Sequence, residues 1–218
     1  ALAWYRKAAE GGLAIAQNNL GRMYQFGWGV AKDNTQAAEW YRKAADQGDA
    51  RAQSNIGTMY ELGEGVTQDS PTAAQWYVKS ADQKDAYGQY NLARLYEEGI
   101  GVEPSKEKAA ELYQLAAEQG LDDAQNNLGR LYQFGSGVPK DDVKAAEWYR
   151  KAADQNNSRA QSNLGAMYEQ GAGLAKNIPD AIKWYRASAE QGDAYGEYNL
   201  ARMYEQGEGV TKDYAEAA

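Results

Sequence analysis

The sequence contains no cysteine and no histidine, and these two absences remove several kinds of site. Without cysteine there is no disulfide, no thiolate nucleophile and no zinc–thiolate site. Without histidine the chain lacks the commonest general base and the commonest metal ligand. The remaining residues assemble no nucleophile with a base and no metal cluster. We therefore predict that the chain is not an enzyme and uses no cofactor or metal.

Positive charge and long apolar runs are also scarce. The 218 residues carry 23 basic and 31 acidic side chains, which gives a net charge of −8. A protein that binds duplexes needs Lys and Arg in excess to displace counterions, so we expect no nucleic-acid partner. No apolar run approaches the length that spans a bilayer, so we expect no membrane insertion. Two Phe stand against 17 Tyr and six Trp, a bias toward aromatic rings that carry a polar atom.

What the sequence does contain is a 36-residue repeat without insertions. Its clearest marker is an Asn column, followed each time by Leu-Gly or a close variant: Asn19, Asn55, Asn91, Asn127, Asn163 and Asn199. The column divides the chain into repeats 14–49, 50–85, 86–121, 122–157 and 158–193, a partial repeat 194–218, and a leading segment 1–13. Segment 1–13 is read as the second helix of a preceding repeat. We predict one solenoid segment over 1–218, whose uncapped ends belong to a longer array or allow self-association.

Each repeat is predicted to form two helices. The first, such as 14–26, carries apolar residues at three- and four-residue spacing and stops at a Gly. The second follows a column of residues able to cap a helix N-terminus: Asp33, Asp69, Ser105, Asp141, Asn177 and Asp213. Mid-helix glycines such as Gly21 and Gly57 indicate that the backbone of a neighbouring helix packs closely there. We expect the Trp and Tyr columns of the second helix to be buried, so that Trp148→Ala costs about 3–5 kcal/mol.

These motifs closely resemble the Sel-one-like repeat, a relative of the tetratricopeptide repeat with a longer turn between its helices. The likeness covers the whole chain and is clearest in AQNNLGRLYQFGSGV at 124–138 and AAEWYRKAA at 145–153. It implies an all-α, right-handed superhelical solenoid with the first helices on the concave side. It also implies an adaptor or scaffold role, sometimes in signalling or host contact. A periplasmic or secreted bacterial location is favoured on this resemblance alone.

The candidate binding residues lie on the first helices, at positions that the core stripe leaves open. The Asn column either binds the backbone of an extended peptide or bonds between neighbouring repeats, and the second interpretation is slightly favoured. Tyr pairs at three-residue spacing are typical of binding anchors: Tyr87 with Tyr90, and Tyr195 with Tyr198. Two arginine columns predict a basic stripe for carboxylates of a partner: Arg22, Arg94, Arg130 and Arg202, then Arg51 and Arg159. Local pairing with Glu97 or Glu205 is the alternative for the arginines.

We therefore predict a module that binds a partner protein or peptide in a concave groove. A glycan- or peptidoglycan-binding module and a purely structural spacer remain alternatives. A second period of 108 residues overlies the first, because Phe26 recurs as Phe134 and Arg51 as Arg159. Duplication of a block of three repeats explains this longer period without any partner.

Overall fold

The structure, a computed structural model, describes residues 2–213, and within that range it contains twelve α-helices and no strand. The helices are α1 Leu2–Glu10, α2 Ala14–Phe26, α3 Asn34–Asp46, α4 Ala50–Leu62, α5 Ser70–Asp82, α6 Ala86–Glu98, α7 Lys106–Glu118, α8 Asp122–Phe134, α9 Asp142–Asp154, α10 Ser158–Gln170, α11 Ile178–Ala189 and α12 Ala194–Gln206. The predicted pairing of two helices per repeat is confirmed. The chain divides into two compact units, a first unit of residues 1–116 and a second unit of residues 117–218.

The turn between the two helices of a repeat is built from local hydrogen bonds. In the first repeat Gly27 has a left-handed backbone with φ of 72°, and its N–H donates a hydrogen bond to the carbonyl of Met23. The N–H of Asp33 then donates to the carbonyl of Tyr24 at 2.9 Å, and the Asp33 side chain accepts from the Gln36 N–H at 3.0 Å. The predicted caps are confirmed at Asp33, Asp69, Ser105, Asp141 and Asn177. The helix predicted after Asp213 lies outside the described residues.

The aromatic core is made by the Tyr of the second helix rather than by the Trp before it. Five tyrosines are at most 1% exposed: Tyr41, Tyr77, Tyr113, Tyr149 and Tyr185. In the Trp column Trp76 is buried, Trp148 is half-buried and Trp4 is 75% exposed. The ammonium group of Lys151 lies 3.7 Å from the ring centroid of Trp148. The expectation that Trp148 is a fully buried core residue is therefore wrong, because one face of its ring is covered only by a flexible Lys.

Mid-helix glycine makes room for this tyrosine. A Cβ added to Gly57 would lie 2.7 Å from the Tyr77 ring, closer than real Cβ contacts allow, and 3.3 Å from the carbonyl of Ala73. The same geometry holds for Gly165 and Tyr185. The close approach is thus chiefly to an aromatic side chain of the paired helix, where the sequence predicted a neighbouring backbone.

Five of the six first helices carry a buried Gln at one position, and this Gln ties consecutive repeats together. The side-chain amide of Gln53 donates to the Ala45 carbonyl of the preceding repeat at 3.2 Å. Its carbonyl oxygen accepts from Gln83, which follows the second helix of its own repeat, at 2.7 Å. Gln161 makes the same two bonds with Ala153 and Gln191. One polar side chain therefore joins three helices, which is how a buried amide becomes satisfied.

The difference between the two aromatic columns is measurable by urea unfolding. We expect Tyr149→Ala to lower the free energy of unfolding by about 3–5 kcal/mol, the cost of truncating a fully buried ring. Trp148→Ala should cost only about 1–2 kcal/mol, because its ring is partly exposed whereas that of Tyr149 is fully buried. Equal losses in the two variants would contradict this assignment of the core.

The Gln bridge gives a second expectation. Replacing Gln53 with Leu keeps the volume but removes the hydrogen bonds that Gln53 makes with the Ala45 carbonyl and the Gln83 amide. We expect a loss of about 2 kcal/mol in the free energy of unfolding. Gln75→Leu, at an exposed position of α5, serves as the matched control and should change stability by less than about 0.5 kcal/mol. A similar loss in both variants would show that the bridge contributes nothing specific.

Candidate functional site

The first helices of three consecutive repeats, α2, α4 and α6, line a pocket of about 330 Å3 in the first unit. Four residues that the sequence predicted as separate columns meet in it: Arg22, Arg51, Asn55 and Tyr87. Asn18 and Phe26 also line it, and Gln25, Tyr41, Ser54 and Asp85 complete it. We call this group of ten residues the first-unit pocket.

The interior of the first-unit pocket is held by neutral side chains. The Tyr41 hydroxyl donates to the side-chain oxygen of Gln25 at 2.7 Å. Burial raises the pKa of Tyr41 well above its usual value, although the nearby charge of Arg22 acts in the opposite direction. Tyr41 is therefore protonated at physiological pH and remains a hydrogen-bond donor. The Gln25 amide in turn contacts the sulfur of Met59 at 3.6 Å, which fixes its orientation.

The charge of the first-unit pocket is positive and available. Arg22 and Arg51 are exposed and form no ion pair with the residues that the structure describes. The guanidinium of Arg22 lies 5.3 Å from the Trp28 ring, and that ring stacks on Phe26 with centroids 5.0 Å apart. Asp85 is the N-cap of α6 and accepts the Gly88 N–H at 2.9 Å. The two guanidinium groups thus outweigh the one carboxylate, which already has a structural role.

Arg94 and Arg202 behave differently from Arg22. Arg94 pairs with Glu61, and Arg202 pairs with Glu169 at 2.6 Å, in each case a glutamate of the preceding repeat. Burial raises the pKa of Glu169, but hydrogen bonds from Arg202 and Tyr185 outweigh it and hold the pKa below its usual value. The predicted arginine stripe is therefore not uniformly open to a partner. The glutamates that pair with Arg94 and Arg202 are Glu61 and Glu169, not the Glu97 and Glu205 that three-residue spacing predicts.

The Asn column makes bonds between repeats. The amide of Asn55 donates to the Asn18 oxygen at 2.8 Å, and Asn91 donates to the Ser54 hydroxyl at 3.4 Å. Asn163 repeats the first of these bonds with Asn126 at 2.9 Å. These contacts agree with the interpretation that the sequence slightly favoured. Asn19, Asn127 and Asn199 are likewise half-buried, and peptide binding by the column stays a prediction.

The four predicted tyrosines do not form two equivalent exposed pairs. Tyr87, Tyr195 and Tyr198 are 56%, 74% and 66% exposed. Tyr90 is half-buried, because α7 brings the ring of Tyr113 to 5.8 Å from it. Tyr87 therefore stands without Tyr90 as an exposed partner.

In the second unit, Arg159 is exposed while Arg130 is half-buried.

Sequence reasoning assigned no role to Asn18, Ser54 or Gln25 of the first-unit pocket. The signal was present, since the column of Asn18 reads Asn, Ser, Tyr and then repeats that order as Asn126, Ser162 and Tyr198.

Two further classes of site are absent from the described residues 2–213. No group of three or more acidic side chains is placed there to hold a metal ion. No helix in that range combines the length and apolar character that a membrane crossing requires.

Comparisons with known proteins agree on one family. The model of the Sel1 repeat matches residues 1–13, 14–49, 50–85, 86–121, 122–157, 158–193 and 194–218. The chain is 43% identical to c5321, a protective antigen present in uropathogenic Escherichia coli strains and displaying an SLR fold, with a TM-score of 0.88. That match covers 100% of this chain and 46% of the antigen chain. A search of the curated proteins finds no match.

Two other solved structures extend the comparison. A Sel1 repeat protein from Oxalobacter formigenes is 35% identical with a TM-score of 0.86, covering 94% of this chain and 82% of that one. An immunity protein from Pseudomonas aeruginosa is 24% identical with a TM-score of 0.60, covering 94% and 74%, and shows the fold alone. Sel1 repeats are in general non-catalytic modules for protein interaction. The chain belongs to the Sel1 repeat family.

Proposed function

We propose that this chain is a scaffold whose first helices hold an extended acidic segment of a partner protein. The observation that carries the proposal is the first-unit pocket, where two arginines without an ion pair lie beside two exposed rings. A guanidinium presents paired donors in one plane, which match the two oxygens of a carboxylate. Phe26 and Tyr87 add apolar contact area of the kind that anchors protein interfaces.

The charge distribution makes such a pocket selective. The chain as a whole carries a net charge of −8, so it repels acidic chains that make no specific contact. Arg22 and Arg51 reverse that sign locally. A segment is held only where its carboxylates lie against these two guanidinium groups, and charge complementarity of this kind contributes mainly to specificity.

The first-unit pocket can also form hydrogen bonds with the main chain of a bound peptide. The Asn55 amide uses one of its two N–H groups in the bond to Asn18. The second N–H and the carbonyl oxygen of Asn55 remain to pair with the main chain of an extended peptide. The same Asn can therefore fix two repeats together and still contact a partner.

The likeness to a protective antigen of uropathogenic E. coli, at 43% identity, supports extending the proposal to a bacterial protein that acts in contact with a host. The chain spans 46% of that antigen, so the extension concerns this segment of repeats and the contacts it makes.

The test is selection of random linear peptides displayed on phage against the immobilised chain. The variant Arg51→Glu/Arg159→Glu reverses the charge of one exposed first-helix column in both units. The matched control Lys43→Glu/Lys151→Glu reverses two exposed charges on the second helices, also 108 residues apart. Circular dichroism verifies that each variant is folded.

We expect the wild type and the control to enrich peptides that contain Asp or Glu near an aromatic residue. The Arg variant should lose this enrichment at least tenfold, and the enriched peptides should bind less tightly as salt rises. The proposal would be contradicted if the wild type enriched no peptide family, or if both variants lost the enrichment equally. Either result would favour a purely structural spacer.

A further inference from the structure

The second unit repeats the ten residues that line the first-unit pocket. Each of its ten residues has the identical residue 108 positions later in the sequence. All ten counterparts belong to the second unit. Those that carry the argument are Asn126, Arg130, Phe134, Arg159, Asn163 and Tyr195, and we call the full set the second-unit pocket.

The fold explains the identity at Tyr41 and Asn55, whose columns are the same in every repeat, but neighbouring repeats differ at other columns of the pocket. Phe26 is replaced by Leu62 in the next repeat, and Arg51 is followed by Tyr87. The identity at those other columns is not explained by duplication alone either. Residues 1–110 and 109–218 are identical at only 67 of 110 aligned positions, so the two blocks have diverged. Positions beside the pocket have changed, such as Trp28 to Ser136, while those that line it have not.

Two internal hydrogen bonds recur in both pockets. Asn163 bonds Asn126 at 2.9 Å, where Asn55 bonds Asn18 at 2.8 Å. The Tyr149 hydroxyl donates to the oxygen of Gln133 at 2.8 Å, and the corresponding bond from Tyr41 is 2.7 Å. These bonds hold the side chains that line each pocket, so both pockets have the same supporting framework.

Three of the groups that would touch a partner, Phe134, Arg159 and Tyr195, are presented like their counterparts, whereas Arg130 is half-buried and Arg22 is exposed. Phe134 is 70% exposed and Tyr195 is 74% exposed, as open to solvent as their counterparts in the first unit or more so. Arg159 is exposed and forms no ion pair with the described residues. Asp193 caps α12 by accepting the Gly196 N–H at 2.9 Å, as Asp85 caps α6.

We infer that each unit holds one of two equivalent pockets, and that one chain binds the same acidic peptide segment twice. The inference rests on the proposed function and adds its stoichiometry. The second-unit pocket takes the same occupant because Arg159 and Tyr195 offer it the chemistry that Arg51 and Tyr87 offer in the first. One chain can therefore gather two partner molecules, or hold two acidic segments of one partner.

The test applies the phage selection separately to Arg51→Glu, Arg159→Glu and the double variant. Both single variants should enrich the same peptide family as the wild type, and the double variant should lose it. One enriched peptide, synthesised and titrated calorimetrically, should bind the wild type at two peptides per chain and each single variant at one. The single variant Lys43→Glu should retain two.

The outcomes separate this inference from the proposed function. If Arg51→Glu alone abolishes an enrichment that the wild type shows, the second-unit pocket is not a site, and the proposed function stands. Different peptide families on the two single variants would show that the pockets are not equivalent. No enrichment on the wild type overturns both proposals.

Discussion

Four of the repeats depend on the contact between a buried Tyr of the second helix and a Gly of the first. At Gly57 the missing side chain leaves the space that the Tyr77 ring fills, so the two helices pack closely. The ring spans the repeat, and its hydroxyl reaches the side chain at position 61, where it donates to Glu61 at 2.8 Å. The core contact therefore also orients a polar group on the first helix.

The residue that receives this hydroxyl is a charged carboxylate in some repeats and a neutral amide in others. Glu61 and Glu169 are carboxylates, and each also holds an arginine of the following first helix. Gln25 and Gln133 stand at the equivalent positions and carry no charge. The floor of each pocket is therefore neutral. The repeats that follow Gln25 and Gln133 carry Thr58 and Ala166 where Arg94 and Arg202 stand elsewhere, so the neutral side chain and the missing arginine occur together.

Contacts between repeats leave most exposed positions free to vary. Within each unit, Gln53 and Gln161 bridge to the preceding repeat through buried hydrogen bonds that use the side-chain amide and one main-chain carbonyl. Such one-dimensional stacking needs only the residues at the interfaces, so the remaining surface can carry a binding site without cost to the fold. Phe26, Arg51 and Tyr87 of the first-unit pocket stand at exposed positions of this kind, which explains why neighbouring repeats differ there.

The sequence by itself determined the repeat length, the helix pairs, the caps and the turns, because these depend on residues close together in the chain. Asp33 and Gly27, for example, form their bonds within ten residues. The sequence also supplied Arg22, Arg51, Asn55 and Tyr87 as candidates. Only the tertiary structure decided that Tyr149 and not Trp148 is buried, since both lie on one apolar stripe and the angle between helices selects one. It also decided that Arg94 meets Glu61, 33 residues away, while side chains from three repeats meet in one pocket.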